Sequence, residues 1–350
     1  MNKPIITIIE DKKTISQNDY YIISAVFGFV LGILLYTFFT PNYFEGDKVK
    51  EIDIQNGASF VKVVDILYDQ KIIPNKLNMK IAGFLYGAER KIKAGRYKIP
   101  NGLSYLQLTS ILTKGAAEPQ ILVTIPEGIW QHNLAKLLKE ELNIDSTEFM
   151  NLSSNKIFLQ RHDITEKSIE GYLLPETYYF FENMTPEEII LKLKSEMDNL
   201  FDEKIERRMK ELNMTKHEIL TLASIIEGES NIVSEFKTIS GVYHNRLKKG
   251  IKLQADPTVQ YLKRHKRRYN KIYYKDLEID SPFNTYKYPG LPPAPINNPG
   301  KEAIIAALYP EEHEYYYFVA SGNGDHVFSK TLREHNKNVR QYRLWRKYQN

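Results

Sequence analysis

The chain has 350 residues, enough for two domains and further segments, and sets 48 Lys and Arg against 43 Asp and Glu for a formal charge of +5. So mild a basic bias does not argue for nucleic acid, and no nucleic-acid partner is expected. With Cys 0, disulfides, a thiolate metal site and a cysteine nucleophile are excluded, while the compartment stays open.

Residues 1–19 are read as a cytoplasmic tail carrying Lys3, Lys12 and Lys13. Residues 20–39 form an uncharged run of 20 residues, about the length that crosses a bilayer as a helix. The run exceeds a signal-peptide core, and Thr40-Pro41-Asn42-Tyr43 offers no small-residue cleavage site, so an uncleaved single-pass anchor is expected. Lys48 and Lys50 come after it, and the three-to-two excess of lysines before the run favours a cytoplasmic N-terminus.

A repeat of strand, glycine turn and helix comes next. Asn56-Gly57-Ala58-Ser59-Phe60 leads into Val63, Ile66 and Leu67, and Asn101-Gly102-Leu103-Ser104-Tyr105 leads into Leu108, Ile111 and Leu112. A looser third copy is Glu127-Gly128-Ile129-Trp130, leading to Leu134, Leu137 and Leu138. Another helical stretch lies around Leu77 and Tyr86. Residues 51–115 therefore read as a small αβ domain, joined through 116–119 to the remainder of the chain.

The later chain alternates amphipathic helices with Pro/Gly-rich segments. Thr215 and Glu218 are spaced as a capping box and Met214 and Ile219 as a hydrophobic staple, so a helix is expected to begin near Lys216. Ile219, Leu220, Leu222, Ala223, Ile225 and Ile226 make it apolar almost all round. Glu227 falls in its last turn, with Gly228 free to end the helix. There the negative end of the helix dipole and desolvation both disfavour the carboxylate, which suits a general acid; a solvated residue just past a core helix is the plainer reading. Ser234 can cap the next helix, from Phe236 to a stop at Lys248-Lys249-Gly250. The proline-rich segment 289–295 is expected to form a rigid extended wall or loop. Residues 301–308 read as a helix, 315–320 as a strand, and 332–348 as a charged helix.

Other candidates for chemistry are local. Glu170 and Glu176 flank a tight turn, aimed at a cleft or engaged in ordinary capping. Asn245-Arg246, Gln254-Ala255-Asp256 and Asn284-Thr285-Tyr286 mix amide, hydroxyl and guanidinium groups with apolar neighbours, a mixture suited to sugar hydroxyl and N-acetyl groups or to local backbone bonding. His326 serves a substrate or closes a turn. The basic run 263–268 reads as a solvated loop, with anionic wall polymers or lipid headgroups as the alternative. His217-Glu218 lacks the second histidine of a zinc motif, the glycines at 322 and 324 are too short for a dinucleotide loop, and no G-x-S-x-G elbow occurs. Neither metal nor cofactor is expected.

Taken together, the segments 170–178 (EGYLLPETY), 222–229 (LASIIEGE), 242–247 (VYHNRL), 253–259 (LQADPTV), 281–286 (SPFNTY), 290–296 (GLPPAPI) and 317–329 (YFVA through HVFS) resemble the endolytic murein transglycosylases, the YceG-like family of bacterial cell-wall enzymes. The resemblance implies an α+β fold with a transmembrane helix at 20–39, a small LysM-like peptidoglycan-binding αβ domain over 48–117 and a larger mixed α+β catalytic domain over 120–346. It places the family's catalytic glutamate on Glu227; Glu229 is then expected in support, and Asn245, Arg246, Gln254, Asp256, Asn284, Tyr286 and His326 are expected as substrate contacts from their own side-chain chemistry. Gly228 stands where the family usually carries a Lys. The implied reaction cleaves the β-1,4 bond between MurNAc and GlcNAc in peptidoglycan strands without water, leaving 1,6-anhydroMurNAc ends and terminating elongation. Implied partners are the glycan strands, the inner membrane and peptidoglycan synthases. A hydrolytic muramidase would need a second carboxylate, from Glu170, Glu176, Glu229 or Asp256, and a wall-binding scaffold would release no product.

Overall fold

The computed structural model describes residues 17–46, 48–88, 91–115, 120–162, 164, 167–182, 184–266 and 268–349. Most of the expected cytoplasmic tail, the join at 116–119 and Arg267 of the basic run therefore lie outside the described residues. The chain divides into two compact units, residues 1–120 and 121–350.

The first unit opens with α1 (Gln17–Phe39), whose side chains are almost all exposed apart from Phe38. Among the described residues it is the one helix long and apolar enough to cross a membrane. Next come β1 (Val49–Ile54), α2 (Phe60–Asp69), α3 (Lys76–Tyr86), β2 (Gly95–Pro100) and α4 (Tyr105–Lys114). The two strands pair antiparallel, from Val49 opposite Pro100 to Ile54 opposite Gly95. Their alternation sends Ile52, Ile54, Tyr97 and Ile99 inward against Val63, Val64, Leu67 and Met79, which closes a separate core. Ser59 and Ser104 cap α2 and α4 with their side chains. The repeat is thus present as a structural unit, with Gly57 and Gly102 at φ +78° and +82° turning strand into helix.

The third copy belongs almost wholly to the second unit. Its strand β3 (Gln120–Thr124) pairs with β4 (Thr177–Phe181), and Gly128 turns at φ +70° into α5 (Gln131–Leu142). Between them lie α6 (Ser146–Leu152) and α7 (Lys156–Arg161), and after β4 come α8 (Pro186–Asn199) and α9 (Glu203–Leu212). The centre is α10 (Lys216–Glu229), succeeded by α11 (Phe236–Lys248), α12 (Asp256–Leu262), α13 (Lys301–Leu308), a hairpin of β5 (Tyr317–Ala320) and β6 (His326–Ser329), and α14 (Leu332–Gln349).

The expected capping box at Thr215 and Glu218 starts α10, and every side chain from Ile219 to Ile226 is buried as it packs against α11, α12 and α13. A helix surrounded on all sides positions its last turn rigidly. Two details differ from the sequence reading. Gly228 does not end α10, which runs on to Glu229 with Ser230 as C-cap; a Cβ at Gly228 would lie 2.7 Å from the Pro257 side chain, so the residue serves close packing of α12. Ser234 is not a cap either, because a short 3-10 turn, Val233–Glu235, feeds directly into α11 and no terminus is left for it to satisfy.

The proline-rich segment is neither helix nor strand, as its lost N–H groups require, and α10 holds the chain just beyond it. Ser224 Oγ accepts the Ile296 N–H at 3.0 Å, and its carbonyl accepts Asn297 Nδ2 at 2.8 Å. Buried Asn298 accepts the Gly171 N–H at 2.8 Å and donates to the Ile129 carbonyl at 3.1 Å, fastening the turns at 128 and 171 to this wall.

Candidate active site

The last turn of α10 carries two glutamates, and a helix turns about 100° per residue, so side chains two apart project roughly 200° from each other. Glu227 and Glu229 therefore enter different surroundings.

Glu229 looks into a groove of about 810 Å³ whose lining includes Tyr243, Arg246, Gln254, Asp256, Tyr286 and His326. Tyr243 and Arg246 are one helical turn apart on α11 and so present one face to it. The Tyr243 hydroxyl donates to Glu229 Oε1. Part of Glu229 reaches the groove, yet the protein atoms packed around it make burial the dominant influence, and its carboxyl is pushed up to about 8. The Tyr243 hydrogen bond opposes that rise, neighbouring Asp256 adds to it, and Arg246 opposes it.

Arg246 is itself fixed as a wall. Its Nε donates to the Tyr316 carbonyl at 2.6 Å and its NH1 to the carbonyls of Lys252 and Leu253 at 2.9 and 2.8 Å, with Gln254 Oε1 at 3.3 Å. Gln254 holds a left-handed backbone at φ +52°, a strained choice for a side chain with a Cβ, and its N–H is anchored on the Thr285 carbonyl at 3.1 Å. Asp256 opens α12 and accepts the Tyr286 hydroxyl at 2.6 Å. His326 opens β6, where Glu235 accepts both its N–H at 2.7 Å and its Nδ1 at 2.8 Å. That leaves Nε2 as the ring atom for a ligand.

Glu227 is not part of this lining. Its Oε2 accepts the N–H of Gly300, the N-cap of α13, at 3.0 Å, and its Cγ lies 3.2 Å from where a Cβ on Gly128 would stand. Its carboxyl is pushed up to about 7, by burial first; the Gly300 hydrogen bond opposes this and Glu127 adds to it. The expected contribution of the helix terminus is thus answered by the start of a second helix, which favours negative charge.

Two sequence candidates are structural instead. Asn245 donates to the carbonyls of His313 and Tyr315 at 2.8 and 3.1 Å and does not line the groove, because it lies next to Arg246 on α11 and turns away from it. Asn284 is fully buried, donating to the carbonyls of Leu277 and Ile279 at 2.9 and 2.8 Å while accepting the Tyr286 N–H at 3.0 Å. It shapes the turn that presents Tyr286.

Glu170 is also buried, accepting the Gln131 N–H and the Tyr261 hydroxyl at 2.9 Å each, and Glu176 is exposed. Neither lines the groove, whereas Asp256 does. The basic run is no solvated loop throughout. Lys263 is buried, 2.6 Å from Asp276, and Arg264 lies 3.9 Å above the Tyr261 ring. Tyr243 and Glu235 escaped the sequence reading; the three-residue step from Tyr243 to Arg246 was the signal for the first, and nothing local marks the second. Among the described residues no three His, Asp or Glu side chains gather as a metal-ligand set.

Against known proteins, the model of the YceG-like family matches residues 52–341. The chain is 35% identical over 306 residues to the endolytic murein transglycosylase of Bacillus subtilis, covering 83% of this chain and 84% of that protein. It is 29% identical to the endolytic murein transglycosylase of Streptococcus pneumoniae, over 72% of this chain and 51% of the relative. The crystal structure of a putative YceG-like protein from Listeria monocytogenes aligns with a TM-score of 0.56 and 33% identity, over 83% of this chain and 99% of that one. A match that runs through both units, from β1 into α14, makes this chain a member of the YceG-like family.

Proposed function

We propose that this chain is an endolytic lytic transglycosylase, cleaving the MurNAc–GlcNAc β-1,4 bond within peptidoglycan strands, and that Glu229 is its acid and base. The observation that carries the assignment is a glutamate at the end of a fully packed helix, held neutral near pH 7 inside a polar groove. Protonated Glu229 donates to the departing glycosidic oxygen. The resulting carboxylate, stabilised by the Tyr243 hydroxyl and Arg246, then takes the proton of the MurNAc C6 hydroxyl as that oxygen closes on C1. One carboxyl serves both steps because no water has to be activated on the far face of the sugar. Asp256, Gln254, Tyr286 and His326 are the proposed sugar contacts. The names and identities of the relatives support the substrate class.

Glu229→Gln on purified strands tests this reading. It is expected to abolish anhydro-ended products while the protein stays folded, and a near wild-type rate would sink the assignment. Glu227, with a carboxyl also pushed up, is the runner-up acid. A hydrolytic muramidase has one observation in its favour, since Asp256 supplies a second carboxylate beside Glu229 in the groove. Product mass separates the two reactions, because hydrolysis adds one water.

For the rest of the chain we propose that α1 anchors the protein in the inner membrane with the second unit on the extracytoplasmic side, supported by its length and apolar surface. The β-α-α-β order of the first unit, with its antiparallel strand pair, supports a LysM-like peptidoglycan-binding role. A membrane-held enzyme of this kind would terminate nascent strands beside a peptidoglycan synthase.

A further inference from the structure

Gln260 and Asn270 are among the residues that line the groove, and the residue before Asn270 begins a strip of aromatic rings that the proposed reaction does not use. Tyr269, 40% exposed, meets Trp130 edge to face with ring centroids 4.7 Å apart. Trp130 stacks on His132 at 5.7 Å, and His132 lies 4.8 Å from the exposed ring of His265. Beyond the strip, His132 also lines a second concavity of about 730 Å³ formed by α5 and the start of α6, with Lys136, Lys139 and Ser146 in its wall.

These rings are held, not trailing. Lys263 reaches beneath their loop to donate to the Lys271 carbonyl at 2.6 Å and to Asp276 at 2.6 Å, so the segment that carries His265 and Tyr269 is pinned from inside. Trp130 stands between the Gly128 turn and α5 and packs partly on the core. Burial, with His265 and Arg264 adding to it, moves the His132 imidazole down, which keeps this ring uncharged at neutral pH.

A held, half-exposed aromatic strip whose Tyr269 adjoins Asn270 of a polar groove matches the chemistry of a carbohydrate. The axial C–H faces of a pyranose are apolar and lie flat on an aromatic ring, while its hydroxyls point sideways to polar groups. We infer that Trp130, His132, His265 and Tyr269 form a distal glycan subsite that carries the strand out of the groove toward the second concavity. The inference rests on the proposed function for the identity of the polymer. Its consequence is that long strands gain a contact outside the groove that short ones lack.

The chain has two tryptophans, Trp130 and Trp345, so Trp345→Phe leaves Trp130 as the sole indole. In that variant, further blocked by Glu229→Gln, long peptidoglycan strands are expected to shift and quench Trp130 emission, and a single disaccharide to leave it unchanged. In the active enzyme Tyr269→Ala, with Trp130→Ala beside it, is expected to raise KM for long strands roughly ten-fold, with kcat and the turnover of a tetrasaccharide changed less than about two-fold. Unchanged Trp130 emission on strands that the Trp345→Phe enzyme cleaves would overturn the subsite, as would equal losses on long and short substrates. If the unmodified enzyme cleaves no strand, the proposed reaction fails, yet the emission titration still decides whether the strip binds glycan.

Discussion

Glu227 and Glu229 share a helix, a side-chain type and a raised carboxyl pKa, and differ in what faces them. Glu227 meets the start of α13 and a glycine turn, a packed junction in which Gly300 supplies a hydrogen bond. Glu229 meets an open groove ringed by a tyrosine, an arginine, an amide and an aspartate. A raised pKa thus marks burial in both places, and what distinguishes Glu229 is that it lines the groove. Perturbed titration points to a site only together with geometry.

The comparison breaks most decisively through activity. Glu229→Gln is expected to lower strand cleavage by about a thousand-fold and Glu227→Gln by less than about ten-fold, read as anhydro-ended product released per unit time. The reverse order would return the acid to Glu227. A stability measurement sharpens the same contrast. The Glu229 carboxyl rises from 4.5 to about 8 on folding, so its neutral form is favoured in the folded state. Its contribution is fully present below pH 4.5 and is lost as pH climbs through about 8. Glu229→Gln should therefore leave stability near pH 4 almost unchanged and add about 2–4 kcal/mol at pH 9, measured by denaturant unfolding. Glu227→Gln should show the same sign with a smaller gain, because its carboxyl rises only to about 7.

Between the two glutamates, Gly228→Ala tests how tightly this turn is packed. A helix interior ordinarily gains up to about 1 kcal/mol from that change. Here the new Cβ would fall 2.7 Å from Pro257, and overpacking should win by about 1–3 kcal/mol, seen as a lowered melting temperature. The smallest effect concerns tuning. Tyr243→Phe removes the hydroxyl that stabilises the Glu229 carboxylate, so the alkaline limb of the pH–rate profile should move upward and kcat fall about ten-fold, since the second step needs that carboxylate. A downward shift would show that Tyr243 does not face the working acid.

Much of the fold was legible because it is local. Thr215 and Glu218 and the glycines of the strand-turn-helix repeat act within a few residues, and α10 begins where its capping box places it, although Ser234 does not cap α11 and Gly228 does not end α10. The site was legible only in part. Arg246, Gln254, Asp256, Tyr286 and His326 do meet at the groove, whereas Asn245 and Asn284, with the same hydrogen-bonding chemistry, serve backbone carbonyls. An amide in a motif looks the same in sequence whether it faces a ligand or a loop. Lys263 likewise reads as one charge of a solvated run until Asp276, thirteen residues on, is folded against it.

By itself the sequence determined where α10 starts, that Glu227 falls in its last turn, and that one segment is long enough to span a bilayer, since these depend on short-range sterics, hydrogen bonding and periodicity. Tertiary structure carried α10 on to Glu229, decided that this acid lines the groove, and brought Tyr269 against Trp130. Such facings depend on segments from about 14 to about 140 residues apart packing together, as when α11, α12, the Tyr286 turn and β6 close around Glu229, or when Tyr269 comes to rest on Trp130. Only burial in that assembled surrounding, not membership of a motif, keeps a carboxyl protonated where a sugar can reach it.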